Sequence, residues 1–176
     1  MKYIFVSDIH GNFEQLEKCI DIFYKEEANK LVLLGDTSAY MDDDANNLIA
    51  DKLRDMKRSV IVIRGNCDTS DFEEKLQFEI FDMDKLYISG KFVTITHGHY
   101  YNCYNLPYDC GDIFIQGHTH IPMLIKQNNK ILANPGSVSK PRGCDLRCYI
   151  VLDNEKIVLK TLEGSVIKEI ELKELI

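Results

Sequence analysis

All five histidines of this chain lie in short polar clusters that also hold aspartate, asparagine and glycine. The clusters are Ser7–Asn12, Gly35-Asp36, Gly65–Asp68, His97–His99 and Gly117–His120. Imidazole nitrogens, carboxylates and an amide carbonyl form a mixed nitrogen and oxygen ligand set. Such a set suits Mn²⁺, Fe, Zn²⁺, Ni²⁺ or Co²⁺ better than Ca²⁺. The residue types therefore predict a metal site that needs no thiolate ligand.

The five clusters together indicate a metal site more specifically than any one of them does alone. A lone Asp-x-His occurs by chance, Gly-Asp most often marks a strand end, and Gly-Asn-x-Asp most often forms a turn. If Asp8-x-His10 and His118-x-His120 are extended strand ends, each pair places two side chains on one side of the chain. No histidine lies outside the clusters, whereas incidental histidines would be scattered, so a shared site is favoured.

Apolar runs directly before the clusters predict the strands that position them. Buried strands are expected at residues 3–6, 31–34, 59–63, 92–96 and 112–115. In α/β sheets, ligands bind outside the carboxyl ends of the strands. We therefore expect clusters that are distant in sequence to converge on one pocket.

Two helices are predicted between the first three strands. Asn12 is expected to cap the first helix, with Gln15 as its capping-box partner, before apolar residues at helical spacing from Phe13 to Tyr24. The second helix is expected from the aspartates at 42–44 to about Met56. Acidic residues suit a helix start, so a solvated first turn is preferred to a metal-binding role for these aspartates.

The second half of the chain is richer in predicted strands. Residues 121–126 and 130–133 flank a turn at 127–129, residues 146–152 and 156–162 flank another at 153–155, and a last strand is expected at 165–172. This order of elements predicts an α/β fold with two packed sheets and helices outside. Because no repeat or linker interrupts the pattern, residues 1–176 are expected to form a single domain.

Composition and charge narrow the class of protein. No apolar stretch approaches the roughly 18 residues of a membrane span, and the N-terminal apolar run is too short for a signal peptide, so a cytoplasmic protein is expected. The net charge of −7 argues against stable binding to nucleic acid.

The six cysteines are expected to be free thiols. A zinc site formed by Cys103, Cys110, Cys144 and Cys148 is the less favoured alternative.

Taken in order, the clusters resemble a known family. Asp8-x-His10, Gly35-Asp36, Gly65-Asn66, His97-Gly98-His99 and Gly117-His118-x-His120 are similar to the motifs of the calcineurin-like metallophosphoesterases, especially the small YfcE-like phosphodiesterase branch. The segment Asn134–Val138 and the following Pro141-Arg142 also resemble that branch. The resemblance implies a metallo-dependent phosphatase-like, four-layer fold, in which a β-sandwich of two mixed sheets is flanked by helices. It also implies two divalent metal ions, with Mn²⁺ preferred and Zn²⁺, Ni²⁺, Fe or Mg²⁺ as alternatives.

The resemblance further implies a role for each ligand. Asp8, His10 and His120 would hold one metal ion, Asn66, His97 and His118 the other, and Asp36 would bridge the two. Two metal ions about 3.5–4 Å apart can activate a shared water for in-line attack on phosphorus. The implied activity is therefore hydrolysis of a small phosphodiester.

One position departs from many relatives, which carry a histidine where this chain has Cys67. A thiol is a poorer general acid than imidazolium at neutral pH, which disfavours phosphomonoesters. The YfcE-like branch also carries cysteine here. Two alternatives stay open: a phosphomonoesterase, including a protein phosphatase, and a non-catalytic metal-binding scaffold of the retromer-subunit type. The complete set of ligand positions favours the enzyme.

Further residues have more than one interpretation. His99 has no ligand role in this assignment, and either contacts substrate, supports the site, or is a simple core or surface histidine. Asp68 could orient a ligand or a water, but helix capping is favoured. Arg142 could clamp a substrate phosphate with two hydrogen bonds, and a plain surface arginine is the alternative. The tyrosine-rich segment 100–108 is expected to form a pocket rim or a subunit contact in a homo-oligomer.

Overall fold

The computed structural model describes residues 1–175. In chain order, the elements are β1 (Tyr3–Val6), α1 (Phe13–Lys25), β2 (Lys30–Leu33), α2 (Asp43–Asp55), β3 (Val60–Val62), α3 (Ser70–Leu76), β4 (Met83–Ile88), β5 (Lys91–Thr96), β6 (Ile113–Ile115), β7 (Met123–Gln127), β8 (Lys130–Asn134), β9 (Cys148–Leu152), β10 (Lys156–Thr161) and β11 (Val166–Glu171), followed by a short 3₁₀ helix (Leu172–Glu174).

The strands form two mixed sheets. The first has six strands in the order β11-β10-β9-β1-β2-β3, and the second has five in the order β4-β5-β6-β8-β7. Strands β1, β2 and β3 are parallel to one another, as are β5, β6 and β8. Two groups of parallel strands therefore end in polar segments, one group in each sheet.

The alternation of side chains along the strands builds the core. In β1, Ile4 and Val6 face the helices, whereas Phe5 belongs to the apolar layer between the sheets. Val93 and Ile95 of β5 enter that inner layer from the second sheet. The predicted fold of two packed mixed sheets with helices outside is confirmed.

The outer faces of the two sheets are covered differently. The apolar residues of α1, α2 and α3 pack on the first sheet. On the second sheet, Phe114 and Leu132 pack instead with Cys103, Leu106 and Cys110 from the irregular segment 100–112. This outermost layer is a loop because the segment between β5 and β6 is short and is interrupted by Pro107.

The predicted helix starts are confirmed, apart from one detail. The side chains of Asn12 and Asp42 accept hydrogen bonds from the backbone N–H groups of Gln15 and Ala45. The capping box at the first helix was wrong, however, because Oε1 of Gln15 has no hydrogen-bond partner and the N–H of Asn12 donates to the carbonyl of Ile9.

The sequence predicted no bounds for α3, although the capping role favoured for Asp68 implied a helix there, and it did not predict the edge strand β4. Helix α3 is only seven residues long and buries Phe72 and Leu76 alone, so its apolar periodicity is weak. Strand β4 mixes exposed and half-buried residues because it pairs on one side only, with β5. The turn predicted at 127–129 is confirmed, and Asn128 and Asn129 both have the positive φ of a two-residue hairpin turn.

Candidate metal centre

The site lies where the parallel strands of both sheets end. Asp8 and His10 follow β1, Asp36 follows β2, and Asn66 follows β3. From the second sheet, His97 follows β5, and His118 and His120 follow β6. Backbone hydrogen bonds link these strand ends: the N–H of His10 donates to the carbonyl of Asp36 at 2.8 Å, and the N–H of Gly117 donates to that of His97 at 2.8 Å.

The backbone at these strand ends is not extended, which corrects the reason given for the spacing. Asp8, His10, Asp36, His118 and His120 all have φ between 49° and 67°. L-residues other than glycine rarely occupy this left-handed region, and such residues cluster at functional sites. The paired side chains converge because the chain turns sharply between them, and five of the motif residues carry this strain.

Asp8, His10 and His120 form the first group of ligand atoms. Nε2 of His120 lies 3.1 Å from Oδ1 of Asp8 and 3.3 Å from Nε2 of His10. These atoms all lie within 4.8 Å of one another, a spacing at which one metal ion could contact all three. Asp8 is fully buried, so its charge needs a partner inside the protein.

A second group surrounds His97, which is also fully buried. Its Nε2 lies 3.1 Å from Oδ1 of Asn66 and 3.4 Å from Oδ1 of Asp36. Oδ2 of Asp36 lies 3.8 Å from Nε2 of His10, so this carboxylate faces both groups. The ring of His118 lies 5.0 Å from that of His97, but His118 belongs to none of the tight three-residue groups found among residues 1–175.

The hydrogen bonds behind the histidines show that these atoms fit a cation. Nδ1 of His97 lies 2.7 Å from the carbonyl of Leu34, and Nδ1 of His120 lies 2.7 Å from the carbonyl of Lys140. Each Nδ1 must therefore donate, and a neutral ring then turns the lone pair of Nε2 towards the oxygens of the site. Oδ1 of Asp8 is buried with no hydrogen bond. Lone pairs that converge without donors are stabilised by a positive charge between them.

A proton can supply part of that charge. Burial lowers the pKa of His97, but the carboxylate of Asp36 outweighs burial, and the net pKa is raised. The carboxylate of Asp8, 3.1 Å from Nε2 of His120, raises the pKa of His120. Burial lowers the pKa values of His10 and His118. Since ligand histidines must be neutral to bind metal, a metal ion would compete with protonation of His97 and His120.

The comparison with known proteins agrees with this geometry. The sequence profile of the calcineurin-like phosphoesterase superfamily domain matches residues 1–156. The chain belongs to the calcineurin-like phosphoesterase superfamily. It is 32% identical to a protein named phosphodiesterase YfcE from Escherichia coli strain K12, and the alignment covers 97% of each chain.

Solved structures extend the comparison to the fold. YfcE, described as a phosphoesterase from E. coli, matches with a TM-score of 0.88 and 30% identity, over 98% of this chain and 100% of that chain. Vacuolar protein sorting 29 from Cryptosporidium parvum matches with a TM-score of 0.67 over 97% of each chain, but at 17% identity. The second likeness shows a shared fold and nothing more.

Cys67 of this phosphoesterase lies directly beside the carboxylate of Asp36. Its N–H donates to Oδ1 of Asp36 at 2.8 Å, and its sulfur accepts from the side-chain amide of Asn66 at 3.4 Å. Burial, and then the nearby Asp36, raise the pKa of the thiol to about 11. Cys67 also forms a compact group with His10 and Asp36, a proximity that the motif alone did not indicate.

Asp68 connects two loops of the phosphoesterase site. Its Oδ1 accepts the N–H groups of Thr37 and Ser38 at 2.9 and 2.8 Å, and its Oδ2 accepts that of Gly65 at 2.8 Å. The favoured interpretation, helix capping, was wrong because Thr69 caps α3. Asp68 instead ties the loop that carries Asp36 to the loop that carries Asn66.

His99 lies at the edge of the ligand groups. Its ring packs on Tyr100 at 4.1 Å between centroids and lies 5.4 Å from the ring of His97. Nδ1 of His99 is buried without a hydrogen bond. Burial, and then the neighbouring histidines, lower its pKa, so the ring is largely neutral at pH 7. Its role in binding or catalysis stays a prediction.

An open cleft of about 370 Å³ gives access to the centre. Its lining combines ligand residues with two cations at the rim: His10, Asp36, Asn66, Cys67, His118, Thr119, His120, Lys140 and Arg142. The rim loop also holds His120, because the carbonyl of Lys140 pairs with its ring and the N–H of Arg142 donates to its carbonyl at 3.0 Å. Lys140 and Thr119 were not predicted from the sequence, although both adjoin residues that were.

No helix within residues 1–175 is both long and apolar enough to cross a membrane.

All six cysteines are free in the structure, and Cys103 and Cys110 belong to the apolar layer on the second sheet. Cys19 and Cys148 are buried in the main core, Cys67 lines the cleft, and Cys144 is exposed.

Proposed function

We propose that this phosphoesterase hydrolyses small phosphodiesters with two divalent metal ions. The observation that carries the proposal is the convergence of buried acceptor atoms around Asp36, within one cleft whose rim carries Lys140 and Arg142. Acceptors in the floor would hold metal ions, and cations at the rim would attract a phosphate. The name of the 32% identical relative, a phosphodiesterase, supports the choice of diesters.

The proposed ligand assignment follows the two groups. Asp8, His10 and His120 hold one ion, and Asn66, His97 and His118 hold the other. Asp36 bridges, which is supported by its two oxygens facing different groups. We propose Mn²⁺ as the preferred ion, since the mixed nitrogen and oxygen set suits it, with Zn²⁺, Ni²⁺, Fe or Mg²⁺ as alternatives.

When bound, the two ions supply positive charge to the phosphoryl oxygens and acidify a shared water for in-line attack. The protein's own groups keep this arrangement fixed. The carbonyls of Leu34 and Lys140 orient His97 and His120, and backbone N–H groups hold the carboxylates of Asp8 and Asp36. Arg142 is proposed to bind a non-bridging oxygen of the substrate through its planar guanidinium.

Cys67 is proposed to set the preference for diesters. Its raised pKa keeps the thiol protonated at neutral pH, so it is a weak acid for an oxygen leaving group. A phosphomonoesterase or protein phosphatase is the second candidate. A non-catalytic scaffold of the retromer-subunit type is less well supported, because every implied ligand position is filled and cations adjoin the cleft.

The domain organisation, cellular location, partners and oligomeric state of the protein are also proposals. We propose that residues 1–176 act as one domain, which is supported by strands β9 to β11 completing the sheet that contains β1. A cytoplasmic location is supported by the six free cysteines. The net charge of −7 supports small substrates rather than stable nucleic-acid binding. A homo-oligomer stays a prediction from the tyrosine-rich segment 100–108.

The test uses two chromogenic substrates in parallel. Protein loaded with Mn²⁺ is expected to cleave bis-p-nitrophenyl phosphate faster than p-nitrophenyl phosphate. Asp36→Asn is expected to abolish both activities, whereas the exposed control Asp145→Asn keeps them. Absence of turnover with every divalent metal would refute the enzyme, and faster monoester cleavage would refute the diester preference.

A further inference from the structure

A second, smaller cavity lies beside the metal cleft. Its volume is about 130 Å³, and Thr119 lines both spaces. The walls are mainly apolar and are formed by Cys103, Tyr104, Ile121 and Met123. The cavity therefore adjoins the cleft at Thr119.

The apolar walls are held in place before any ligand binds. The N–H of Cys103 donates to Oε1 of Gln116 at 2.7 Å, and the N–H of Tyr104 donates to Oδ1 of Asn102 at 3.0 Å. Yet the side chain of Tyr104 is 97% exposed and that of Ile121 is 48% exposed. The backbone that carries these side chains is therefore already ordered, and a ligand would cover apolar surface that is now exposed.

Two polar side chains of the cavity, Thr119 and Gln116, have hydrogen-bond donors left for a ligand. Oγ1 of Thr119 accepts from the N–H of Ile121 at 3.3 Å and from Nδ2 of Asn134 at 3.0 Å. A hydroxyl has two acceptor sites and one donor, so the remaining capacity of Thr119 is donation. Oε1 of Gln116 is occupied by Cys103, which leaves the amide N–H groups of Gln116 to donate.

We propose that this cavity binds one ester group of the substrate and selects a planar ring, aryl or heteroaryl. The inference deepens the proposed diesterase function and rests on it. A cavity of about 150 Å³ lined by apolar side chains is known to accept benzene, so 130 Å³ suits a single ring. The exposed ring of Tyr104 provides a stacking surface, and the donors match acceptor atoms on the edge of a heteroaryl ring.

The experiment compares phenylphosphonate with methylphosphonate, which share the phosphonate group and differ only in the organic group. Neither contains an ester bond, so binding to the metal-loaded protein can be measured by calorimetry without turnover. Phenylphosphonate is expected to bind about three- to tenfold more tightly. Tyr104→Ala and Ile121→Ala are expected to bring this ratio close to one.

Tyr108→Ala is the matched control, since Tyr108 lies in the same segment, is fully exposed and does not line the cavity. It should leave the ratio unchanged. A ratio of one in the wild-type protein, or an equal fall of the ratio in the Tyr108→Ala control, would overturn the inference. If the ratio holds while no diester is hydrolysed, the cavity stands and the proposed activity fails.

Discussion

The clearest test of how the site is built is the substitution of Asp68. This carboxylate accepts three backbone N–H groups, two from the loop after β2 and one from Gly65 after β3. Asp68→Asn keeps an oxygen for Thr37 and Ser38 but turns an amide N–H₂ towards the N–H of Gly65. One hydrogen bond to a charged group is lost, and the other two lose the charge on their acceptor.

The expected cost follows from these changes. A hydrogen bond to a charged group contributes about 1.5–3 kcal/mol, and a neutral one about 1 kcal/mol. Loss of one bond and weakening of two, with partial relaxation, predicts about 2–4 kcal/mol less free energy of unfolding. Since the two loops carry Asp36 and Asn66, metal affinity is expected to fall about 10- to 100-fold, as for other residues that orient metal ligands.

Urea unfolding of the metal-free protein measures the first quantity, and calorimetric titration with Mn²⁺ measures the second. Asp145→Asn is the control, because it removes the same charge from an exposed loop. If Asp68→Asn and Asp145→Asn agree within about 0.5 kcal/mol and bind metal equally, the three hydrogen bonds do not couple the loops.

Three further predictions address other parts of the protein. A methyl group at Gly65 would overlap the backbone nitrogen and the carboxylate of Asp36, so Gly65→Ala should abolish metal binding. Calorimetry measures the binding, and circular dichroism should show that the fold persists. Unchanged metal affinity would contradict the close approach of Gly65 to Asp36. Cys67→His should raise the ratio of p-nitrophenyl phosphate to bis-p-nitrophenyl phosphate turnover, and an unchanged ratio would show that Cys67 does not set the preference. Burial opposes ionisation of Glu26, but hydrogen bonds from Lys160 and Tyr149 outweigh it and lower its pKa. Its stabilisation is therefore present above the ordinary glutamate pKa of about 4.3 and lost as the pH falls through the lowered value. In urea unfolding at pH 7, the free energy of unfolding of the wild-type protein should exceed that of Glu26→Gln by about 1 kcal/mol. This difference should shrink below pH 4. A difference that stays constant with pH would rule out ionised Glu26 as its source.

The sequence predicted most strands and the two long helices because their apolar patterns are strong. It did not predict the bounds of α3 or the existence of β4, since a seven-residue helix and a half-exposed edge strand carry little periodicity. It selected the residues that converge at the strand ends, but for Asp8 and His10 it gave the wrong local reason. The left-handed turns that aim these side chains depend on backbone contacts with the neighbouring loop, such as the bond from His10 to Asp36.

The sequence by itself determined the candidate ligand residues, their order and the family, because motif residues and apolar runs are local features of the chain. Only the tertiary structure decided that Asp68 links two loops, that Lys140 orients His120, and that Thr119 lies between the metal cleft and a second cavity. Each of these relations joins segments about 20 or more residues apart, or depends on which lone pairs are already occupied. Such relations exist only after the two sheets have packed and the loops at their ends have met.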